Sequence, residues 1–280
     1  MNPMRLALYL LLLYSPSSSM AEATFSDIQA LDAAPETAEI AYGDNPLQFG
    51  RLWHPGTEAP PVVVLLHGGC WLNAYGVDHV HPLAAALSDA GFAVWAIEYR
   101  RLGDDGGGYP GTFDDVNAGI NAVATLDNVD ATRVVVAGHS AGGHLALWAS
   151  AEQPALPGIR SPEQALRGGI GLAAIADLER YAVGESSCEK AAAQLIASNP
   201  VLASESVRRG ISPQQMNRAV PAVLVHASAD PIVPLAQSEN YAASKKAELH
   251  IVPGGHFDVI HPGHESFHAL VTAIRSLLDD

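Results

Sequence analysis

From about residue 60 to the C-terminus, short apolar runs alternate with stretches whose apolar residues recur every three or four positions. The runs at 62–66, 93–97, 133–137, 169–174, 222–226 and 248–252 are β-branched or apolar and are bounded by Gly, Pro or Asp. That pattern predicts short buried strands. Between them, 81–90 places Leu83 and Leu87 four apart, and 113–126 puts Val116, Ile120 and Val123 on one stripe. With 141–151, 234–246 and 264–278, these stretches predict helices. Alternation of this kind gives an α/β fold with a mainly parallel sheet covered by helices on both faces. Residues 38–55 predict an N-terminal hairpin turning at Gly43-Asp44-Asn45-Pro46.

Two stretches break the rhythm. Residues 103–111 carry five glycines and Pro110, and predict a loop. Residues 176–220 are too long for a simple crossover and predict a small cap or lid of short helices. At the other end, Arg5 precedes a nine-residue apolar run, Leu6 to Tyr14, well short of the roughly 20 residues a bilayer span needs. Ala21-Glu22-Ala23 then fits an A-x-A cleavage pattern. Residues 1–23 therefore predict a signal peptide cut after Ala23, which leaves 24–280 as one domain with no membrane anchor and an exported, secreted or periplasmic, location. An uncleaved anchor is the competing reading.

The strand at 133–137 runs into Gly138-His139-Ser140-Ala141-Gly142-Gly143, and a helix follows at once. This is G-x-S-x-G in its strand–turn–helix context. The serine hydroxyl must stand exposed on a tight, strained turn, with glycines at either side where other backbone passes close. His67-Gly68-Gly69-Cys70-Trp71 follows the strand at 62–66. A serine nucleophile needs a base held in the right tautomer. Of twelve histidines, His256 sits in the Gly-rich loop 253–257 directly after the last predicted strand, where a base could hang over Ser140. His139 should turn its side chain away from Ser140, and His144 and His226 read as packed, hydrogen-bonded histidines. His261, His264 and His268 could share a helix face, but no carboxylate or Cys ligand lies nearby to complete a metal site. Asp230, in Ser228-Ala229-Asp230-Pro231-Ile232-Val233-Pro234, follows the strand at 222–226 and is the favoured orienting acid. Asp177 is the alternative, and Asp258 is expected to point elsewhere.

These motifs resemble the α/β-hydrolase superfamily over nearly the whole of residues 24–280. The resemblance implies the chain order Ser140, Asp230, His256 for the catalytic residues. It also implies an oxyanion hole from the backbone N–H groups of Gly69, Cys70 and Ala141, with Gly68 shaping the turn. The 67–71 segment is similar to the H-G-G-x-W signature of kynurenine formamidases and to the H-G-G-G loop of hormone-sensitive-lipase-like esterases. Cys70 replaces the third glycine of the latter, and Glu98-Tyr99-Arg100-Arg101-Leu102-Gly103 begins like their Y-R-L-A-P segment and then diverges into a Gly-rich loop. Secreted esterases and the catalytic domain of prolyl oligopeptidases share the nucleophile and acid motifs, although the chain is too short for the latter's propeller.

The function this implies is two-step acyl transfer to water, on esters of small to medium acyl chains or on amides, with no metal or organic cofactor. Formamidases belong beside tryptophan catabolism in the cytosol, so an exported chain favours esters. A catalytically silent binding module would be expected to lack one of the three catalytic residues. Trp71, Tyr75 and Tyr109 are the candidate pocket residues, with Tyr181 a further one. The net charge of −15 is unchanged by removing residues 1–23, because Arg5 and Glu22 cancel, and it disfavours nucleic acid and anionic membranes. Cys70 and Cys188 are the chain's two cysteines. An oxidising compartment permits a disulfide between them, but two buried free thiols are the simpler expectation.

Overall fold

The computed structural model describes residues 22–153, 156, 158, 159 and 163–279. The expected leader lies outside the described residues except for Glu22 and Ala23. The N–H of Ala23 donates to Asp258 Oδ1 at 3.2 Å.

Among the described residues the elements run α1 (Phe25–Gln29), β1 (Ala38–Ala41), β2 (Phe49–Trp53), β3 (Pro61–Leu66), α2 (His81–Asp89), β4 (Ala93–Ile97), α3 (Gly111–Asn121), β5 (Asp130–His139), α4 (Ala141–Ala149), β6 (Gly168–Leu172), α5 (Leu178–Tyr181), α6 (Ser187–Ala197), α7 (Glu205–Arg209), β7 (Ala222–Ala227), α8 (Ala236–Lys245), β8 (Glu248–Val252) and α9 (Glu265–Asp279). The strands form one sheet in the order β1-β2-β4-β3-β5-β6-β7-β8. β1 and β2 are an antiparallel hairpin and β2 pairs antiparallel with β4, while β4, β3, β5, β6, β7 and β8 pair in parallel.

The period-2 geometry of a strand explains why the central runs are apolar throughout. Val62, Val64 and Leu66 of β3 face one core with α3 and α4, whereas Val63 and Leu65 face a second core with α2 and α9. Val134 and Val136 of β5 join the first, and Val135 and Ala137 the second. α8 covers β7 and β8, where Tyr241 packs with Leu224 and Leu147.

β3 has β4 on one side and β5 on the other, so successive strands leave it in opposite directions. A crevice opens above the carboxyl ends of the strands at such a point. The loops carrying the 67–71 glycines, Ser140, Asp230 and His256 all leave carboxyl ends: those of β3, β5, β7 and β8 respectively. Between β6 and β7 the chain folds α5, α6 and α7 with short 3-10 turns, and α6 carries a Ser186–Glu189 capping box at its N-terminus. Cys188 on α6 is disulfide-bonded to Cys70, with Cα atoms 5.0 Å apart. The expectation of two free thiols is therefore wrong, because the fold brings together residues 118 positions apart. No described helix is long and apolar enough to cross a membrane.

Candidate active site

Ser140 joins β5 to α4 with φ 57° and ψ −116°, a conformation L-residues with a side chain rarely adopt. Its N–H donates to Leu172 O of β6 at 2.8 Å, and its carbonyl accepts from His144 N–H, so the turn is held from both sides. The flanking glycines are sterically required. A Cβ on Gly138 would lie 2.1 Å from Gly142 O, and one on Gly142 would lie 2.3 Å from the carbonyl oxygens of both Leu66 and His67.

Asp230 and His256 meet through Oδ2 and Nδ1 at 2.7 Å. Oδ1 of Asp230 accepts the N–H groups of Ile232 and Val233 at 2.8 and 2.9 Å, which fixes the carboxylate plane. Burial pushes the Asp230 carboxyl up, but hydrogen bonds from His226 and His256 outweigh it and hold the group well below the usual carboxylate range. With Nδ1 committed to Asp230, Nε2 is the ring nitrogen left for proton transfer. Asp177 is occupied elsewhere: it N-caps α5 by accepting from Arg180 N–H at 3.1 Å. Asp258 likewise serves backbone, accepting Gly255 N–H at 2.7 Å.

Ser140 and His256 line a shared cavity of about 350 Å³ with Gly69, Cys70, Tyr75, Cys188, Ile232 and Phe257. Gly69, Cys70 and Trp71 follow one another at φ 102°, 56° and 58°. The loop passes so near Ser140 that a Cβ on Gly68 would come within 3.1 Å of Ser140 Cβ. The N–H groups of Gly69, Cys70 and Ala141 donate to no acceptor among the described residues. Ala141 is the first residue of α4, where a helix leaves its N–H groups unpaired and its dipole favours negative charge.

Three expected pocket residues divide. Tyr75 lines the cavity. Trp71 does not: its left-handed backbone turns the indole into the core, edge-on to His144 at 5.2 Å. Tyr109 also belongs to that core, near Phe113, with its N–H donating to Ser198 Oγ. Tyr181 is buried as well, donating to Ile232 O at 3.0 Å. His139, expected to turn away from Ser140, lies against His256 with ring centroids 4.6 Å apart and donates through Nε2 to His256 O.

Other contributors carry weaker sequence signals. Phe25 of α1 lines the cavity, against Tyr75, His79 and Phe257. Its only local cue is the Thr24–Asp27 capping box. Beneath the glycine loop, Glu98 Oε1 takes His67 Nε2 at 2.7 Å and Arg101 at 3.0 Å, while Oε2 accepts Val77 N–H. Burial raises the Glu98 carboxyl, but the His67 and Arg101 charges prevail and bring it to about 2. Tyr99 stacks on His67 and donates to its carbonyl at 2.6 Å. Glu98, Tyr99 and Arg101 thus support the glycine loop from beneath.

Known proteins agree with this architecture. Esterase B from Lactobacillus rhamnosis (HN001) superposes with a TM-score of 0.73 at 20% identity, over 89% of this chain and 88% of its own. A truncated carbohydrate esterase from gut microbiota gives 0.71 at 18% identity, over 89% of this chain and 100% of its own. Such identities show the fold alone, an α/β-hydrolase fold with a mostly parallel sheet flanked by helices. In sequence, esterase LipC of Mycobacterium tuberculosis (strain ATCC 25618 / H37Rv) is 26% identical over 227 residues, 74% of this chain and 54% of LipC. The chain thus spans about half of LipC's length. The BD-FAE family model matches residues 53–244, well over half of the chain, and the chain belongs to the BD-FAE family.

Proposed function

We propose that the protein is a serine esterase that hydrolyses carboxylic esters of small to medium acyl chains. The observation that carries this reading is the Asp230–His256 contact at 2.7 Å beside a strained Ser140, with Gly69 and Cys70, whose N–H groups have no acceptor among the described residues, lining the same cavity. In the reaction, His256 Nε2 takes the Ser140 hydroxyl proton as Oγ attacks the ester carbonyl. The N–H groups of Gly69, Cys70 and Ala141 stabilise the oxyanion. The imidazolium, held by Asp230, returns its proton to the leaving alcohol as the C–O bond breaks. Water then attacks the acyl-enzyme by the same route and releases the acid. The esterase names of LipC and of the structural neighbours support ester over other carbonyl substrates, and a cavity of about 350 Å³ suits acyl chains of modest length.

An N-formylkynurenine formamidase is the rival reading. It rests on Trp71, and the burial of that side chain against His144 removes its link to a pocket. Export of the chain is part of the proposal. The apolar run after Arg5 and the Cys70–Cys188 bond support it, since disulfides persist in oxidising compartments.

The test pairs covalent labelling with turnover. A fluorophosphonate should label the wild type and leave Ser140→Ala unlabelled, and p-nitrophenyl butyrate should be hydrolysed far faster than N-formylkynurenine. Equal labelling of the Ser140→Ala protein would exclude Ser140 as nucleophile, and preferential cleavage of the formamide would select the rival.

A further inference from the structure

The glycine loop is hydrogen-bonded on both sides of Cys70 but not at Cys70 itself. Gly69 O accepts Leu72 N–H at 2.9 Å, and Trp71 O accepts Leu102 N–H at 2.8 Å. Gly68 N–H donates to His79 Nε2 at 3.2 Å. The N–H and carbonyl of Cys70 enter no hydrogen bond among the described residues, and yet Cys70 holds φ at 56° without being glycine. The Gly69–Leu72 bond closes a turn over Cys70 and Trp71, at 56° and 58°, a conformation that is costly for residues other than Gly and Asn and gains from any further restraint. What reaches Cys70 is its own side chain, bonded to Cys188.

The far end of that bond is firm. Cys188 sits in the first turn of α6, where Ser186 and Glu189 cap each other's backbone, and its side chain is nearly buried. Cys70 and Cys188 both line the cavity that holds Ser140. The disulfide therefore spans from the β6–β7 segment to the backbone that faces the nucleophile.

We propose that Cys188 is a positioning residue for the reaction: through its bond to Cys70 it holds the Gly69 and Cys70 N–H groups in register with the oxyanion. This rests on the serine-esterase reading above. A pre-set donor matters most where negative charge develops, so loss of the tether should act on the transition state more than on substrate binding.

The experiment compares wild type, Cys188→Ala and Cys70→Ala/Cys188→Ala with p-nitrophenyl butyrate at a temperature where circular dichroism shows each folded. Hydrogen exchange of the amides at 69–71 is followed in parallel. The expected result is a kcat at least tenfold lower in both variants with KM within about threefold. Inhibition by a butylboronic acid, which forms a tetrahedral adduct, should weaken with kcat, while inhibition by butyrate holds, and exchange at 69–71 should quicken. Should a variant fail to fold, the folded wild type is treated with a water-soluble phosphine. Each phosphine takes up the oxygen of one water, becomes a phosphine oxide and leaves two thiols. The same fall in kcat is expected, with no response from the double variant wherever that folds. Unchanged kcat and loop exchange beside a lower melting temperature would reduce the bond to a global staple and overturn the proposal. A wild type that a fluorophosphonate leaves unlabelled at Ser140 would overturn the esterase reading instead, so the two failures are distinct.

Discussion

His226 Nε2 lies 3.4 Å from Oδ2 of Asp230, the same oxygen that takes Nδ1 of His256 at 2.7 Å. His226 is fully buried, its Nδ1 faces Ser238 Oγ at 2.7 Å, and Nε2 also meets Val233 O at 3.0 Å. Two oxygen acceptors around Nε2 fix it as the protonated nitrogen, so Nδ1 accepts from Ser238. A second imidazole thus steadies the Asp230 carboxylate from behind. Replacing it with a ring of similar shape, His226→Phe, should lower kcat/KM roughly tenfold, about 1.4 kcal/mol. The same change in an Asp230→Asn background should add almost nothing, because both act through one carboxylate. Steady-state kinetics on the four proteins checks this, and additive losses would show that His226 serves folding alone.

The site also sets an acid limit on stability. Burial, aided by the charge of His67, brings the His79 imidazole down to about 3, and burial alone brings His144 to about 4. His139 is held well below its ordinary value, first by burial and then by His256. These rings stay neutral in the folded protein while the unfolded chain takes up protons below about pH 6.5. Their stabilisation is complete above that pH and is lost as pH falls toward 4. Each ring contributes a slope of about 1.4 kcal/mol per pH unit. Urea denaturation at pH 7.5, 6 and 5 should show a steepening loss, and a flat profile across that range would contradict the neutral buried rings.

Glu98 stands between the His67 imidazole and the Arg101 guanidinium, under the glycine loop. Glu98→Gln removes the carboxylate that His67 and Arg101 share, leaves the buried Arg101 with Asp104 alone and should cost about 3 kcal/mol at pH 7. Adding Arg101→Met removes the under-compensated guanidinium and should restore part of the loss. Chemical denaturation of the two single variants and the double variant measures the coupling. Strictly additive losses would mean that the pair does not act as a unit.

The central strands are legible because burial on both faces forces continuous apolar runs, and the 93–97 boundary coincides with β4, buried throughout; the edge strand β8 also coincides with 248–252, although Val252 is its one buried residue. β5 begins three residues before the predicted run, because its polar start at Asp130 carries no apolar signal. α1 leaves almost no periodic trace, being five residues long with Ile28 its one buried side chain. The strained turn at Ser140 is readable because glycines at 138 and 142 answer a local steric demand. Trp71 misleads for a physical reason: sequence gives its place in the loop, but the sign of φ decides which way the ring turns. The Cys70–Cys188 bond, the His226–Asp230 contact and the Glu98 cluster are tertiary meetings between loops, and no periodicity encodes them.

Phe25 shows what such a hidden element contributes. Its ring meets Tyr75 edge-on at 5.4 Å and Phe257 at 5.9 Å, so α1 supplies one apolar wall of the cavity. Thr24 and Asp27 hold the helix start, which orders the ring before any substrate arrives. Removing the ring exposes the space beyond it without touching Ser140, Asp230 or His256. Apolar contact scales with buried area, so the effect should grow with the length of the substrate's chain. Phe25→Ala should leave kcat/KM for p-nitrophenyl acetate within about twofold and lower it roughly five- to tenfold for the butyrate and octanoate, chiefly through KM. Kinetics across the three esters decides the point. An equal loss on all three would mean that Phe25 orders the catalytic residues, and no change on any would place the acyl chain along the opposite wall, toward Cys188 and Ile232.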